Sequence, residues 1–245
     1  MLLKRNVLHT ALIFTAVFIL NSCYFDGSSH FNRIQGEGPI VSEDINLPKI
    51  HGIVIKNSAN VSLTQGDNQR LVVEAQRNIL DNLRTEVSNG ILYIGNRNPV
   101  WKTKPVQIKL RISDLSIVRM SGSGDISSTN TFTDLDDLEV KLSGSGKIEL
   151  SVEAREVYSI ISGSGSINLD GEAGKGEFII SGSGSILAYD LRLRKANARI
   201  SGSGGIHTHV EENLEVRVTG SGSITYQGDP KIEKHISGSG GIRSR

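Results

Sequence analysis

The chain has 245 residues, 37% of them hydrophobic and 5% aromatic, with 27 Lys+Arg against 26 Asp+Glu and a formal net charge of +1. That length suffices for one domain with a core of Ile, Leu and Val, and nothing in the charge balance suggests nucleic acid, which would ask for a basic stripe. A single cysteine excludes an intrachain disulfide, so the fold must rest on packing and strand ladders.

Lys4-Arg5 give a basic start, an apolar run follows from Ala11 to Leu20, and Leu20-Asn21-Ser22-Cys23 closes it. The run is too short to span a bilayer comfortably. It resembles a bacterial lipoprotein signal, with Cys23 as the lipid-attachment residue, although Asn21 departs from the residues commonest at that position. The plainer alternative is an ordinary secretory signal that happens to hold a cysteine, and both readings export the protein. Residues 1–22 are therefore expected to be a signal peptide, whose removal takes away Lys4 and Arg5 and leaves a net charge of −1. Residues 23–47 contain Asp26-Gly27-Ser28-Ser29 and Gly36-Glu37-Gly38-Pro39 and read as a tether.

From residue 48 to 117 the pattern is that of strands. Ile53 and Ile55 alternate, as do Val61 and Leu63, Leu71 and Val73, and Val106, Ile108, Leu110 and Ile112. Asn89-Gly90 predicts a tight hairpin with antiparallel pairing, and Asn78–Leu83 predicts one short helical turn. A module without the repeat that marks the rest of the chain suits a cap, because the end of a stacked array must be closed.

From residue 118 to 243 the chain repeats. Ser-Gly-Ser-Gly or Thr-Gly-Ser-Gly begins at Ser121, Ser143, Ser162, Ser181, Ser201, Thr219 and Ser237, in steps of 22, 19, 19, 20, 18 and 18 residues. A period near 20 marks a solenoid, in which no coil buries its apolar face alone. Glycine inside a strand costs about 0.5–1 kcal/mol relative to alanine, so this pattern persists only where the backbone demands it. Every second residue gives apolar-x-Gly-x-Gly-x-Ile, as in Met120, Gly122, Gly124 and Ile126, which is the period of a strand. The glycines are thus expected on the core side or at a bend, with the serines outward in rows that hydrogen-bond from coil to coil. Asp125 and Lys147 should then be neighbours and pair. Asn130–Asp134 is expected to be the longest loop, and Asp170–Gly176 and Gln227–Pro230 to be turns. At about 4.8 Å per strand, seven coils would stack to roughly 34 Å.

Ile53-x-Ile55-x-x-Ser58-x-x-Val61-x-Leu63-x-Gln65-Gly66, then Leu83-x-Thr85-x-Val87-x-Asn89-Gly90-x-Leu92-x-Ile94, then the Ser-Gly repeats make a known pattern. Over residues 48–243 it resembles the autotransporter adhesin head GIN domain of Bacteroidetes lipoproteins. The resemblance implies a right-handed parallel β-helix at the cell envelope and offers no catalytic residue. "Adhesin" in that family name is itself a fold analogy.

The motifs carry little chemistry of their own. A dinucleotide fingerprint needs a helix after its glycines, and none follows here. A hydrolase elbow reads Gly-x-Ser-x-Gly, which these copies do not. His207 and His209 share a strand face with Glu211 nearby, two ligands short of a typical zinc set. Asp134, Asp136 and Asp137 are the one acid cluster from which a glycoside hydrolase or lyase could be built, and a solvated loop is the plainer reading. Trp101, with Arg97 and Lys102 in the same basic segment, supplies the residue types that anchor contacts; its alternative role is to pack over the end of the solenoid. The expectation is an exported, lipid-anchored, non-enzymatic solenoid, without metal or cofactor, that serves adhesion or scaffolding at the cell envelope, with the outer membrane as its expected place. Its partners would be the membrane, through the N-terminal lipid, a glycan or protein ligand, and a second copy meeting the uncapped last coil. The alternative is a carbohydrate-active β-helix enzyme.

Overall fold

A computed structural model describes residues 33–245. The expected signal segment and Cys23 lie outside the described residues. In chain order the elements are β1 (Ile34–Gln35), β2 (Ile40–Ile45), β3 (Gly52–Ile55), β4 (Asn60–Gln65), β5 (Arg70–Gln76), α1 (Arg77–Asn82), β6 (Leu83–Ser88), β7 (Ile91–Asn96), β8 (Val100–Lys102), β9 (Gln107–Ile112) and β10 (Ile117–Met120). They continue with β11 (Asp125–Ser128), β12 (Phe132–Leu142), β13 (Lys147–Gly163), β14 (Ser166–Gly182), β15 (Ser185–Gly202), β16 (Gly205–Gly220), β17 (Ser223–Gln227), β18 (Lys231–Ser237) and β19 (Gly241–Ser244).

From β10 onward each coil pairs in parallel with the next, as the period requires. Ser162 faces Ser181, Gly163 faces Gly182, and Ile161 faces Ile180. Like residues therefore stack in columns. Met120, Leu142, Ile161, Ile180, Ile200 and Val218 form a buried column before the Ser-Gly corner, and Ile126, Ile148, Ile167, Ile186, Ile206 and Ile224 form one after it. Burying an Ile or Leu side chain contributes about 1.5–3 kcal/mol, so these columns are the main source of cohesion. Phe132 and Phe178 are the bulkiest fully buried side chains.

Both expected roles of the glycines occur, one at each position of the motif. From the second copy onward the first glycine bends the chain with positive φ, 134° at Gly182, 133° at Gly202 and 114° at Gly220. The second is buried: a β-carbon at Gly165 would lie 2.5 Å from the carbonyl oxygen of Gly146 and equally close to Leu142. The ladder at this corner is main chain. The Gly144 oxygen accepts from both Ser164 N (3.1 Å) and Gly165 N (3.0 Å) of the next coil.

The N-terminal half supplies the cap and also two layers of the stack, out of chain order. β3 lies between β7 and β10 in parallel, and β4 between β9 and β11. The coil of residues 52–65 is thus inserted between that of 91–112 and that of 117–128. Antiparallel strands close this end: β6 on β7, β5 on β9, and β2 on β5. The Ser88-to-Ile91 hairpin turns through Asn89 and Gly90, at φ 50° and 72°. α1 presses Ile79 and Leu80 into the core.

Several local expectations give way. The stretch read as a tether is built into the cap from Ile34 onward, since β1 pairs with β8 and β2 runs along β5. Asn130–Asp134 is not the longest loop, because its last three residues open the strand Phe132–Leu142; Phe132 is buried, and the irregular register is taken up by a bulge at Asp134, φ 58°. Asp170–Gly176 lies inside the unbroken β14, because the coils on either side satisfy its backbone while Gly171 turns the corner at φ 110°. The corner is held by main-chain bonds, and among the described residues the outward motif serines do not bond to one another through their hydroxyls. Asp125 and Lys147 are in register, but the Lys147 ammonium goes to Glu149, 2.6 Å away.

At the other end of the stack β18 pairs with β16 and β19 with β17, and each leaves its far edge open among the described residues. Lys234 registers with the buried Val216, in a row that the coils before it fill with Ala198 and Phe178.

Candidate functional site

The Ser-Gly corner runs unbroken through the motif coils. In the layer beneath them Lys56-Asn57-Ser58-Ala59 takes its place; the Asn57 and Ala59 carbonyls lie under Gly122 and Gly124. In the last layer the corner opens into the segment between β7 and β9, residues 97–106, which holds Trp101. β8 is pinned by parallel pairing to β1, with Ile34 opposite Val100.

Trp101 does not close the end of the solenoid. It is 66% exposed, the most exposed large apolar side chain among the described residues. The Arg33 guanidinium lies 5.4 Å from its ring centre. Trp101 and Lys102 line a cleft of about 570 Å³, whose floor is Lys56–Asn60 with Asn96 at one side. Arg97 is not brought to this cleft. Its backbone N–H donates to Asn82 O (2.8 Å), and it lines a separate depression with Glu43, Asp81 and Thr85.

Buried amides set the cleft wall. Gln76 is 5% exposed; its Oε1 accepts from Lys104 N (3.0 Å) and Thr103 Oγ1 (3.3 Å), and its Nε2 donates to Gly38 O (3.1 Å). Asn82, also buried, accepts from Asn98 N (2.9 Å) and donates to Asn98 O (2.9 Å). Satisfied buried amides fix a loop at low cost, so Trp101 is carried on a held segment. No motif or spacing marks Gln76, Asn82, Lys56 or Asn96 in the sequence, because their roles depend on strands that meet out of chain order.

The acid cluster is occupied by a cation. Arg155 Nε binds Asp136, its Nη2 binds Asp137 (2.5 Å), and its Nη1 binds Glu156 (2.6 Å). The hydrogen bond it donates to Asp136 heads the causes that hold the guanidinium charged. A hydrogen bond from Tyr158 holds the Glu156 carboxyl below its usual range, with Lys175 helping.

His207 Nδ1 meets Tyr189 Oη at 3.0 Å, and Arg245 stacks on Tyr189 at 4.7 Å. Burial, then Arg243 and Arg245, lower the His207 pKa. His209 is in register with Gln227, and Glu211 lies 3.9 Å from Arg192. Among the described residues no three His, Cys, Asp or Glu side chains are grouped as a metal site, and no helix is long and apolar enough to cross a membrane.

Comparison with known proteins agrees with this architecture. A solved "putative adhesin" from Bacteroides fragilis is 24% identical with a TM-score of 0.82, the match covering 86% of this chain and 100% of that one. A "putative lipid binding protein" from Parabacteroides distasonis is 27% identical with a TM-score of 0.74, covering 87% and 99%. A further "putative adhesin", from Parabacteroides merdae, is 20% identical with a TM-score of 0.67, covering 87% and 99%. No curated protein matches the chain. The family model described as "Putative auto-transporter adhesin, head GIN domain" matches residues 50–230, and the chain belongs to that family.

Proposed function

We propose that this member of the GIN head-domain family is an exported, non-enzymatic binding protein, held at the bacterial envelope by lipid on Cys23, with its ligand surface at the capped end of the solenoid. The basic start, short apolar run and lone cysteine of the N-terminus support the anchor. The family description supports an extracellular or envelope setting.

One observation carries the binding role. Trp101 is exposed on a pinned strand at the mouth of a cleft, and Trp is among the side chains that most often anchor a bound partner. Asp136 and Asp137, two of the three carboxylates from which a hydrolase could be built, are instead joined to Arg155.

The test is a binding screen of cell surfaces and glycans with the wild type and Trp101→Ala. Loss of capture in the variant, at unchanged melting temperature, is the expected result. Capture that survives the substitution would move the ligand surface elsewhere. Metabolic labelling with palmitate, lost in Cys23→Ala, tests the anchor separately.

A further inference from the structure

We infer that the ligand of this surface is an acidic glycan, lying from Trp101 across Lys56 and Asn96 to Tyr93. The inference rests on the cap-end binding role proposed above and adds the chemistry of what is bound.

Two depressions meet at one ridge. The first, about 570 Å³, contains Trp101; the second, about 450 Å³, contains Tyr93; Lys56 and Asn96 line both. Each volume falls within the roughly 300–1,000 Å³ range of small-molecule sites, and their shared wall makes them successive stations for one chain. A ring stands at each station. Pyranose rings present C–H faces that stack on indole and phenol, so a glycan can rest on both. The Lys56 ammonium already sits 5.5 Å from the Tyr93 ring centre, which fixes it at the ridge.

The charges are one-sided. Lys56 and Lys102 are the charged residues of the first depression, and neither is among the ion pairs of the described residues. The second adds Arg84 and Glu86, which pair with each other at 2.9 Å. Two ammonium groups are left over a polar floor with no free carboxylate to balance them. A carboxylate, sulfate or phosphate on the ligand would supply the balance. Amides complete the recognition of hydroxyls. Asn57 Nδ2 donates to Asn96 Oδ1 at 3.1 Å, which leaves the Asn96 N–H groups for a ligand.

A pair of probes with one backbone separates charge from shape: an oligogalacturonate and its fully methyl-esterified form, titrated calorimetrically into the full-length protein. The acid should bind. The ester should bind about tenfold more weakly, as two lost surface ion contacts allow. Lys56→Gln and Lys102→Gln should each weaken the acid several-fold and leave the ester unchanged, and added salt should act on the acid alone. Equal binding of acid and ester, abolished in both by Trp101→Ala, would overturn the acidic inference and leave the cap-end binding role standing. Failure of the acid to bind, or binding indifferent to Trp101→Ala, would overturn the inference as well, and the cell-surface screen would then judge the binding role alone. Unchanged melting temperatures in the variants show that the effects are not losses of fold.

Discussion

A β-carbon placed on Gly163 would stand 2.5 Å from the carbonyl oxygen of Gly144 in the coil below. That oxygen already accepts the N–H groups of Ser164 and Gly165, so it cannot withdraw without breaking the ladder. Gly163→Val is therefore expected to cost roughly 3 kcal/mol or more, while Ser164→Val, on the exposed face, should stay within about 1 kcal/mol. Denaturant titration of both variants is the measurement. Equal, mild losses would mean that the two faces of the corner have been exchanged.

Among the described residues, two buried hydroxyls have no hydrogen-bond partner, Ser159 Oγ and Thr208 Oγ1. Thr208 is fully buried, between Ile206 and Val210 on the inward face of its strand and in register with Ala188. An unsatisfied buried hydroxyl costs about 1–3 kcal/mol, so the near-isosteric Thr208→Val should stabilise the protein by about 1 kcal/mol. A fall in melting temperature on this substitution would show that the hydroxyl has a partner, such as an ordered water.

The folded chain prefers neutral His207, because burial and the charges of Arg243 and Arg245 lower its pKa from 6.5. Its contribution to stability is then full above about 6.5 and shrinks as pH falls below that value toward the lowered folded pKa, since the unfolded chain takes up the proton first. His207→Gln should flatten the melting temperature between about pH 7 and 5. Arg243→Gln should flatten it in part. A slope that the His207 substitution leaves untouched would assign the effect to other groups.

Purified protein should cleave nothing on a broad polysaccharide panel, because Asp136 and Asp137 are tied to Arg155. Cleavage that disappears in Asp134→Asn would reverse the non-enzymatic assignment.

The meeting of two copies expected at the open last coil should be weak in the wild type, because Lys234 stands in the row that receives apolar side chains elsewhere. A charge placed in that row on an edge strand discourages pairing with another chain. Lys234→Val should therefore sediment as dimers or larger species at concentrations where the wild type is mostly monomer. Identical profiles would show that the end is guarded in some other way.

The stack is legible in the residues because a parallel solenoid writes its register into the chain. Each Ile after a Ser-Gly corner lies on the Ile of the next coil, so period and parity alone place Ile148, Ile167 and Ile186 in one buried column. Asn89-Gly90 is equally plain, since its turn needs two positive φ angles. The insertion of β3 and β4 between later strands leaves no local trace, because Ile53 pairs with Leu92 on one side and Val118 on the other, both far along the chain. Asn130–Asp134 misleads because its residues favour loops, whereas the neighbouring coil holds Phe132 in a strand. The site is half legible. Trp101 and Lys102 belong to one surface, but Arg97 looks elsewhere, and Lys56 and Tyr93 reach that surface only through the out-of-order layers.

Because Gly182 lies on Gly163 as Gly163 lies on Gly144, the middle of the molecule is modular. Removing one repeat would bring like against like again and shorten the rod by about 4.8 Å, with the residues around Trp101 untouched. Reach and recognition are thus separate variables in this architecture, and duplication or loss of a repeat adjusts the first without retuning the second.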